Sequence, residues 1–216
     1  MKTFASLLAM VVLTIASGAV AQEPDDADDD AGNGDPYMRE RAYGGIGGQW
    51  SNPNFSIPLL TANETRGINA RLGYRPHPNV AFDLVFDYNT PFKLDIPGAF
   101  LVPGLSPYMT SRFQVGEVIT YLITGNVRIF PLSTVPGMPG RIQPYLSAGL
   151  GPHIIDRDIL FKRATIVPVA TRLGGGVDVY ATPHFAVSLD AAYVLNIHQA
   201  LDTRYWMFGG NVQYHW

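Results

Sequence analysis

From residue 42 onward, apolar and polar side chains alternate in runs of about 8 to 12 residues, separated by breaks rich in Gly, Pro and Asn. A period of two puts successive side chains on opposite faces of an extended chain, so these runs predict strands with two unlike surfaces. In 67–75, Ile68, Ala70, Leu72 and Tyr74 share one face while Asn69, Arg71, Gly73 and Arg75 share the other. In 80–88, Val80, Phe82, Leu84, Phe86 and Tyr88 oppose Ala81, Asp83, Val85 and Asp87. The pattern returns in 118–130, 142–151, 169–180, 185–193 and 205–216. There the polar faces carry Thr120, Thr124, Asn126 and Arg128; Ser147; Arg172 and Asp178; Ser188 and Asp190; and Asn211, Gln213 and His215. Residues 42–50 make an eighth strand, too rich in Gly for its phase to be fixed.

The breaks differ in length. Those at 51–66, 89–117 and 152–166 are long, those at 76–79 and 181–184 short, and those at 131–140 and 196–204 intermediate. Eight strands with long and short connections in turn predict an all-β, up-and-down antiparallel barrel, with both chain ends on the short-turn side.

A soluble barrel buries its apolar face, and a membrane barrel turns that face to lipid. Two features favour the membrane. Aromatic residues fringe the apolar faces near strand ends, at Tyr74, Phe130, Tyr180, Phe185, Tyr214 and Trp216 on one side and Tyr88, Tyr193 and Trp206 on the other, as interfacial girdles do. The polar faces carry few charges, and these balance: Arg71, Arg75, Arg128 and Arg172 against Asp83, Asp87, Asp178 and Asp190. Buried charges need partners, and the planar fork of arginine supplies them better than lysine does. The eight are read as a salt-bridge network inside a transmembrane barrel too narrow for a broad aqueous pore. An ion or proton relay is the functional alternative.

The first residues sharpen this. Lys2, an apolar run from Phe4 to Ile15, and Ser17-Gly18-Ala19-Val20-Ala21 have the three parts of a secretory signal, with cleavage expected after Ala21. The apolar run is about 12 residues, short of the roughly 20 a spanning helix needs. Between Gln22 and Asp35 there are seven acids and no base, which predicts a disordered acidic linker over 22–41. It does not match a calcium loop, because Ala31 stands where the turn glycine would follow Asp26, Asp28 and Asp30. The expected organisation is a signal peptide at 1–21, this linker, and a barrel at 42–216. With no cysteine in the chain, a disulfide, a thiolate metal site and a lipid-bearing cysteine are all excluded.

Several stretches resemble the OmpA-like outer-membrane β-barrel family, which includes the small opacity-type surface proteins. They are Tyr43-Gly44-Gly45-Ile46-Gly47-Gly48, Pro144-Tyr145-Leu146-Ser147-Ala148-Gly149-Leu150-Gly151, and Gly174-Gly175-Gly176-Val177-Asp178 with Thr182-Pro183-His184-Phe185. The last strand is similar to the family's terminal insertion signal, with Gly210, Val212, Tyr214 and Trp216 on one face, although Trp216 stands where the family usually has phenylalanine. The resemblance implies a Gram-negative outer-membrane location, contact with lipid and lipopolysaccharide, and recognition of the C-terminal strand by the assembly machinery.

Catalytic chemistry finds little support. Some outer-membrane lipid A hydrolases share this architecture and use a Ser/His/acid group. Here Ser147 and His153 share a face but lie about 20 Å apart along the strand. Ser188 and Asp190 have no histidine at matching spacing, and Gly44–Gly48 and Gly174–Gly176 fit no phosphate-loop pattern. No catalytic residue, cofactor, metal or nucleic-acid partner is assigned. The connection 89–117 is unusually apolar, with Phe92, Leu94, Ile96, Phe100, Leu101, Val102, Leu105, Tyr108 and Met109. It either packs at the barrel mouth or offers a contact surface to a protein or host partner. The leading expectation is a non-enzymatic barrel with a structural or adhesion-like surface role. A narrow channel, a lipid A-modifying enzyme and a soluble barrel with an apolar ligand remain as alternatives.

Overall fold

Residues that alternate in polarity need a surface that separates two environments, and a closed sheet provides one without leaving an edge. The computed structural model describes Tyr37 and residues 41–55, 61–97, 112–132, 140–159, 162–197 and 203–216. Residues 1–36, read as signal peptide and most of the acidic linker, lie outside the described residues. Ten strands form: β1 (Arg41–Phe55), β2 (Thr61–Ala62), β3 (Thr65–His77), β4 (Val80–Pro97), β5 (Arg112–Ile129), β6 (Ile142–Ile159), β7 (Lys162–Ile166), β8 (Val169–Tyr180), β9 (Phe185–Ile197) and β10 (Thr203–His215).

Eight of them close the wall in the order β1, β10, β9, β8, β6, β5, β4, β3 and back to β1, all antiparallel. The short β2 adds to β4, and β7 adds to β6. The closing register pairs Tyr43 with His215 and with Gly73, so the start of β1 and the end of β10 lie at one mouth, here the chain-end mouth. The opposite mouth is the loop end.

The polar faces point inward. Arg71 and Asp83 are each 5% exposed, whereas Leu84 and Leu189, on the other face of the same wall, are 51% and 57% exposed. The first strand, whose phase the sequence left open, turns Tyr43 and Gln49 inward and Ile46 outward. In the lumen Gly73 serves close approach: a Cβ there would run into the ring and hydroxyl of Tyr43 and the carboxylate of Asp83.

Two expectations are corrected. Phe130 and Tyr180, expected on the lipid-side fringe, are buried in the lumen, because their phase is that of Arg128 and Asp178 two residues before each. Tyr74, Phe185, Tyr214, Trp216 and Trp206 are exposed on the outer face.

The long connections are also shorter than expected. β1 continues to Phe55, β4 to Pro97 and β6 to Ile159, while β5 begins at Arg112. Register shifts between Asn89 and Phe92 and between Leu94 and Asp95 hide the continuation of β4. The first is a one-residue slip that reverses which face is inward, so period-two alternation breaks while the ladder goes on. Phe92 and Leu94, read as loop, pack with Val118 and Ile155 over the loop-end mouth. Residues 98–111, the rest of that apolar segment, lie outside the described residues.

The β4–β5 pairing runs on to Pro97 and Arg112, and the β6–β7 pairing to Ile159 and Lys162. Pairing between β9 and β10 ends at Leu195 and Arg204. The wall therefore rises into a lip on the β4–β7 side.

Candidate functional site

Inward side chains fill the lumen in layers. Near the chain-end mouth, Tyr43, Ala81, Phe130 and Tyr145 form an apolar floor. His215 stacks on Tyr43 at 5.0 Å between ring centroids and meets Tyr180 at 5.1 Å. Arg75 lies over the Phe130 ring at 4.1 Å, donates to Gln143 at 2.5 Å, and also donates to the carbonyl of Pro78. Tyr37 crosses to this end, where Arg141 donates to its hydroxyl at 3.0 Å and Gln143 to its carbonyl at 3.1 Å.

Above the floor runs a ribbon of alternating charge. Arg128 lies 3.0 Å from both Asp178 and Asp83; Arg71 lies 3.6 Å from Asp83 and 3.9 Å from Asp190; Arg172 lies 2.9 Å from Asp190 and 3.7 Å from Asp87. In order the ribbon reads Asp178, Arg128, Asp83, Arg71, Asp190, Arg172, Asp87. Of the eight charges marked in the sequence, the structure brings these seven together and leaves Arg75 apart in the floor.

Partners around the ribbon are uneven. Arg128 is enclosed by the rings of Tyr145, Tyr43 and Phe130, at 4.4, 5.1 and 5.1 Å from its guanidinium carbon. Tyr43 also donates a hydrogen bond to Asp83. Asn211 donates to Asp190 at 3.2 Å. At the far end neither carboxylate oxygen of Asp87, which is 0% exposed, accepts a hydrogen bond. Asn69, its cross-strand partner, and Asn211 likewise keep side-chain oxygens without a hydrogen bond.

A second apolar layer lies toward the loop end, formed by Leu122, Ala170, Val194, Tyr205 and Met207. His153 sits within it, 2.7 Å from Asn196 Oδ1 and 3.2 Å from the Tyr205 hydroxyl. Gln49 and Ser51 both donate to Asn89, at 2.9 and 2.8 Å, and Asn89 donates to Thr120 at 3.0 Å. Sequence reading missed this layer, because Leu122, Val194 and Met207 are apolar residues in the polar phase and only closure of the wall turns them on each other.

The side chains that could carry chemistry are engaged with other partners. Ser188 is bonded to Tyr145 at 3.2 Å, and His153 is committed to Asn196 and Tyr205. Among the described residues no three His, Asp or Glu side chains gather as a metal site. His184 bonds the carbonyl of His215 at 2.9 Å in the short turn between β8 and β9. The terminal-strand residues Gly210, Val212, Tyr214 and Trp216 lie on the outer face, where Tyr214 meets Trp216 edge-on at 5.8 Å.

No protein-family profile matches the chain, and no curated protein matches it in sequence. Solved structures do match in fold. Neisserial surface protein A aligns over 80% of this chain and 96% of its own, with 14% identity and a TM-score of 0.55. The N-terminal β-barrel domain of Pseudomonas aeruginosa OprF aligns over 82% of this chain and 100% of its own, with 15% identity and a TM-score of 0.52. The outer membrane protein OprG from Pseudomonas aeruginosa aligns over 84% and 99%, with 13% identity and a TM-score of 0.53.

Proposed function

We propose that this chain, which has the fold of the small OmpA-like outer-membrane barrels, is itself a non-enzymatic outer-membrane barrel with a structural or adhesion-like surface role. The observation that carries the reading is the inversion of the wall: a continuous apolar exterior around a lumen of paired charge. In water such an exterior would expose a patch far beyond the few hundred Å² that soluble monomers tolerate. Facing hydrocarbon, the same side chains stabilise the fold, and the charges inside meet partners instead of lipid.

Residues 1–21 then export the chain, residues 22–41 form an acidic spacer on the periplasmic side, and the loop end faces outward. The terminal strand, with Gly210, Val212, Tyr214 and Trp216 on its outer face, presents the signal read by the assembly machinery. The lip and the segment 98–111 carry the surface role toward a protein or host partner. Two apolar layers, one on each side of the ribbon, support a closed lumen over a narrow channel. The test is fractionation with gel mobility. The protein is expected in the membrane pellet after a carbonate wash, migrating differently before and after boiling. Release by carbonate with unchanged mobility would remove the proposal, and stepwise currents in a planar bilayer would replace it with the channel reading.

A further inference from the structure

The ribbon of charge begins and ends in an acid. Asp178, Asp83, Asp190 and Asp87 supply four negative charges, and Arg128, Arg71 and Arg172 supply three positive ones. The remaining lumen arginine stands at the wrong end to make up the difference. Arg75 donates to Gln143, the register partner of Asp178, and lies six residues along β3 from Asn69, roughly 20 Å away. The surplus negative charge therefore falls at Asp87, which is fully buried, meets Arg172 Nε at 3.7 Å and accepts no hydrogen bond.

Beside Asp87 stand more acceptors. Asn211, Gly47, Asn69 and Asp87 are successive register partners on β10, β1, β3 and β4, so they form one row across the inner wall. Asn69 and Asn211 are 5% and 2% exposed, and Oδ1 of each accepts no hydrogen bond. The nitrogen of the Asn69 amide fixes its orientation. It donates to Gln49 on β1 at 3.4 Å and lies 3.2 Å from where a Cβ of Gly209 on β10 would stand. The oxygen is the other arm of a planar amide, so it points toward β4 and the Asp87 carboxylate.

Exchanging the two arms of that amide would set its oxygen against Gln49 Oε1, another acceptor. The Asn211 nitrogen is committed as well, donating to Asp190 at 3.2 Å, and its oxygen lies over Gly47, 2.7 Å from where a Cβ there would stand. Gly47 thus leaves this oxygen on the Asn69 side of the row. Acceptors gathered without hydrogens repel one another, and a buried charge without a close partner is costly where water is excluded. A cation among them removes both penalties.

We propose that the lumen holds one alkali-metal cation between Asp87 and Asn69, with Asn211 Oδ1 as the next oxygen in the row. Carboxylate and amide oxygens are hard donors, which suit such an ion. Its single charge equals the deficit of the ribbon, whereas a divalent ion would leave the ribbon with a positive surplus. Apolar layers lie on both sides of the ribbon, so the cation is captured as the wall closes during folding.

The test follows urea unfolding and refolding of the barrel at neutral pH and equal ionic strength, in sodium chloride or in N-methylglucamine chloride, whose cation is too bulky for the lumen. The folding equilibrium constant of wild type is expected to be about threefold larger in sodium, as linkage to one weak site gives. Asp87→Asn is expected to lose that gain while still folding in both salts, and Asn69→Ala to lose most of it. Asp158→Asn, exposed on the lip, is expected to keep it. Crystals of wild type grown with thallium(I) are expected to show an anomalous peak between Asp87 and Asn69. No gain in wild type, or an equal gain in Asp87→Asn, overturns the site. An infrared band of a protonated carboxyl, present in sodium and lost in Asp87→Asn, also overturns it, because a proton then stands in place of the cation. Should Asp87→Asn fail to refold, Asn69→Ala and the thallium peak decide: an unchanged sodium gain or an absent peak rejects the cation.

Discussion

Toward the chain-end mouth, Arg128 touches two aspartates at 3.0 Å within a cage of three aromatic rings. Toward the loop end, Arg172 reaches Asp190 at 2.9 Å but Asp87 only at 3.7 Å, and no hydrogen bond reaches the Asp87 carboxylate. Both ends are buried, so the difference lies in satisfaction and not in exposure. A buried charge costs several kcal/mol of desolvation, which only close and numerous partners offset. The first end comes nearer to that condition: Arg128 Nε and Asp178 Oδ1 make no hydrogen bond, but each residue keeps a close charged partner at 3.0 Å. The second leaves part of its cost standing, so a neutral side chain there gives up less.

Four substitutions, with Arg172→Met as the reference for the first, break or sharpen this contrast, each read from urea unfolding of the refolded barrel. Arg128→Met is expected to cost most, about 3–5 kcal/mol, because Asp83 and Asp178 are left buried without their shared cation. A loss no larger than that of Arg172→Met would erase the contrast. Asp83→Asn follows at about 2–3 kcal/mol, since both Arg128 and Arg71 lose a charged partner and Tyr43 keeps only a neutral amide acceptor. Gly73→Ala is expected to cost about 1–3 kcal/mol by driving a methyl group into the Tyr43 ring, with the damage confined to the first end. Asp87→Asn is expected to cost least, at most about 1 kcal/mol, since no hydrogen bond to the carboxylate is lost. A large loss there would show that the 3.7 Å approach of Arg172 matters as much as the contacts of Arg128.

The fold was legible for a reason visible in 80–88, where Phe82 and Leu84 must part from Asp83 and Asp87 whatever the rest of the chain does. Inside that span a one-residue slip would put two aspartates in the outer face, so phase and register are strongly specified. Past Asn89 the same reading failed, because a bulge lets Phe92 and Leu94 point inward where strict alternation would not place them. Phe130 and Tyr180 failed for a related reason. An aromatic residue near a strand end satisfies the pattern of a girdle and of a plug equally, and only its phase, counted from Arg128 or Asp178, separates the two.

The ribbon was legible as a set of residues but not as a set of contacts. The sequence marked eight charges on one face, and strand tilt together with closure of β1 on β10 decided which would meet. Arg75 shares the phase of Arg71, four residues away, yet its height on β3 puts it beside Gln143 and Phe130 instead of a carboxylate.

By itself the sequence determined a period of two, eight wall strands and which chemistry each face would carry, because these depend on neighbours along the chain and on the pleat that separates them. The structure alone decided that the inward apolar residues would gather in two layers, that Asp87 would lack hydrogen bonds, and that small residues from β8, β9 and β10 would leave one shallow, open depression. Those features depend on the height of each residue in a closed wall. Height is set by register summed around the whole barrel, a quantity that no single strand contains.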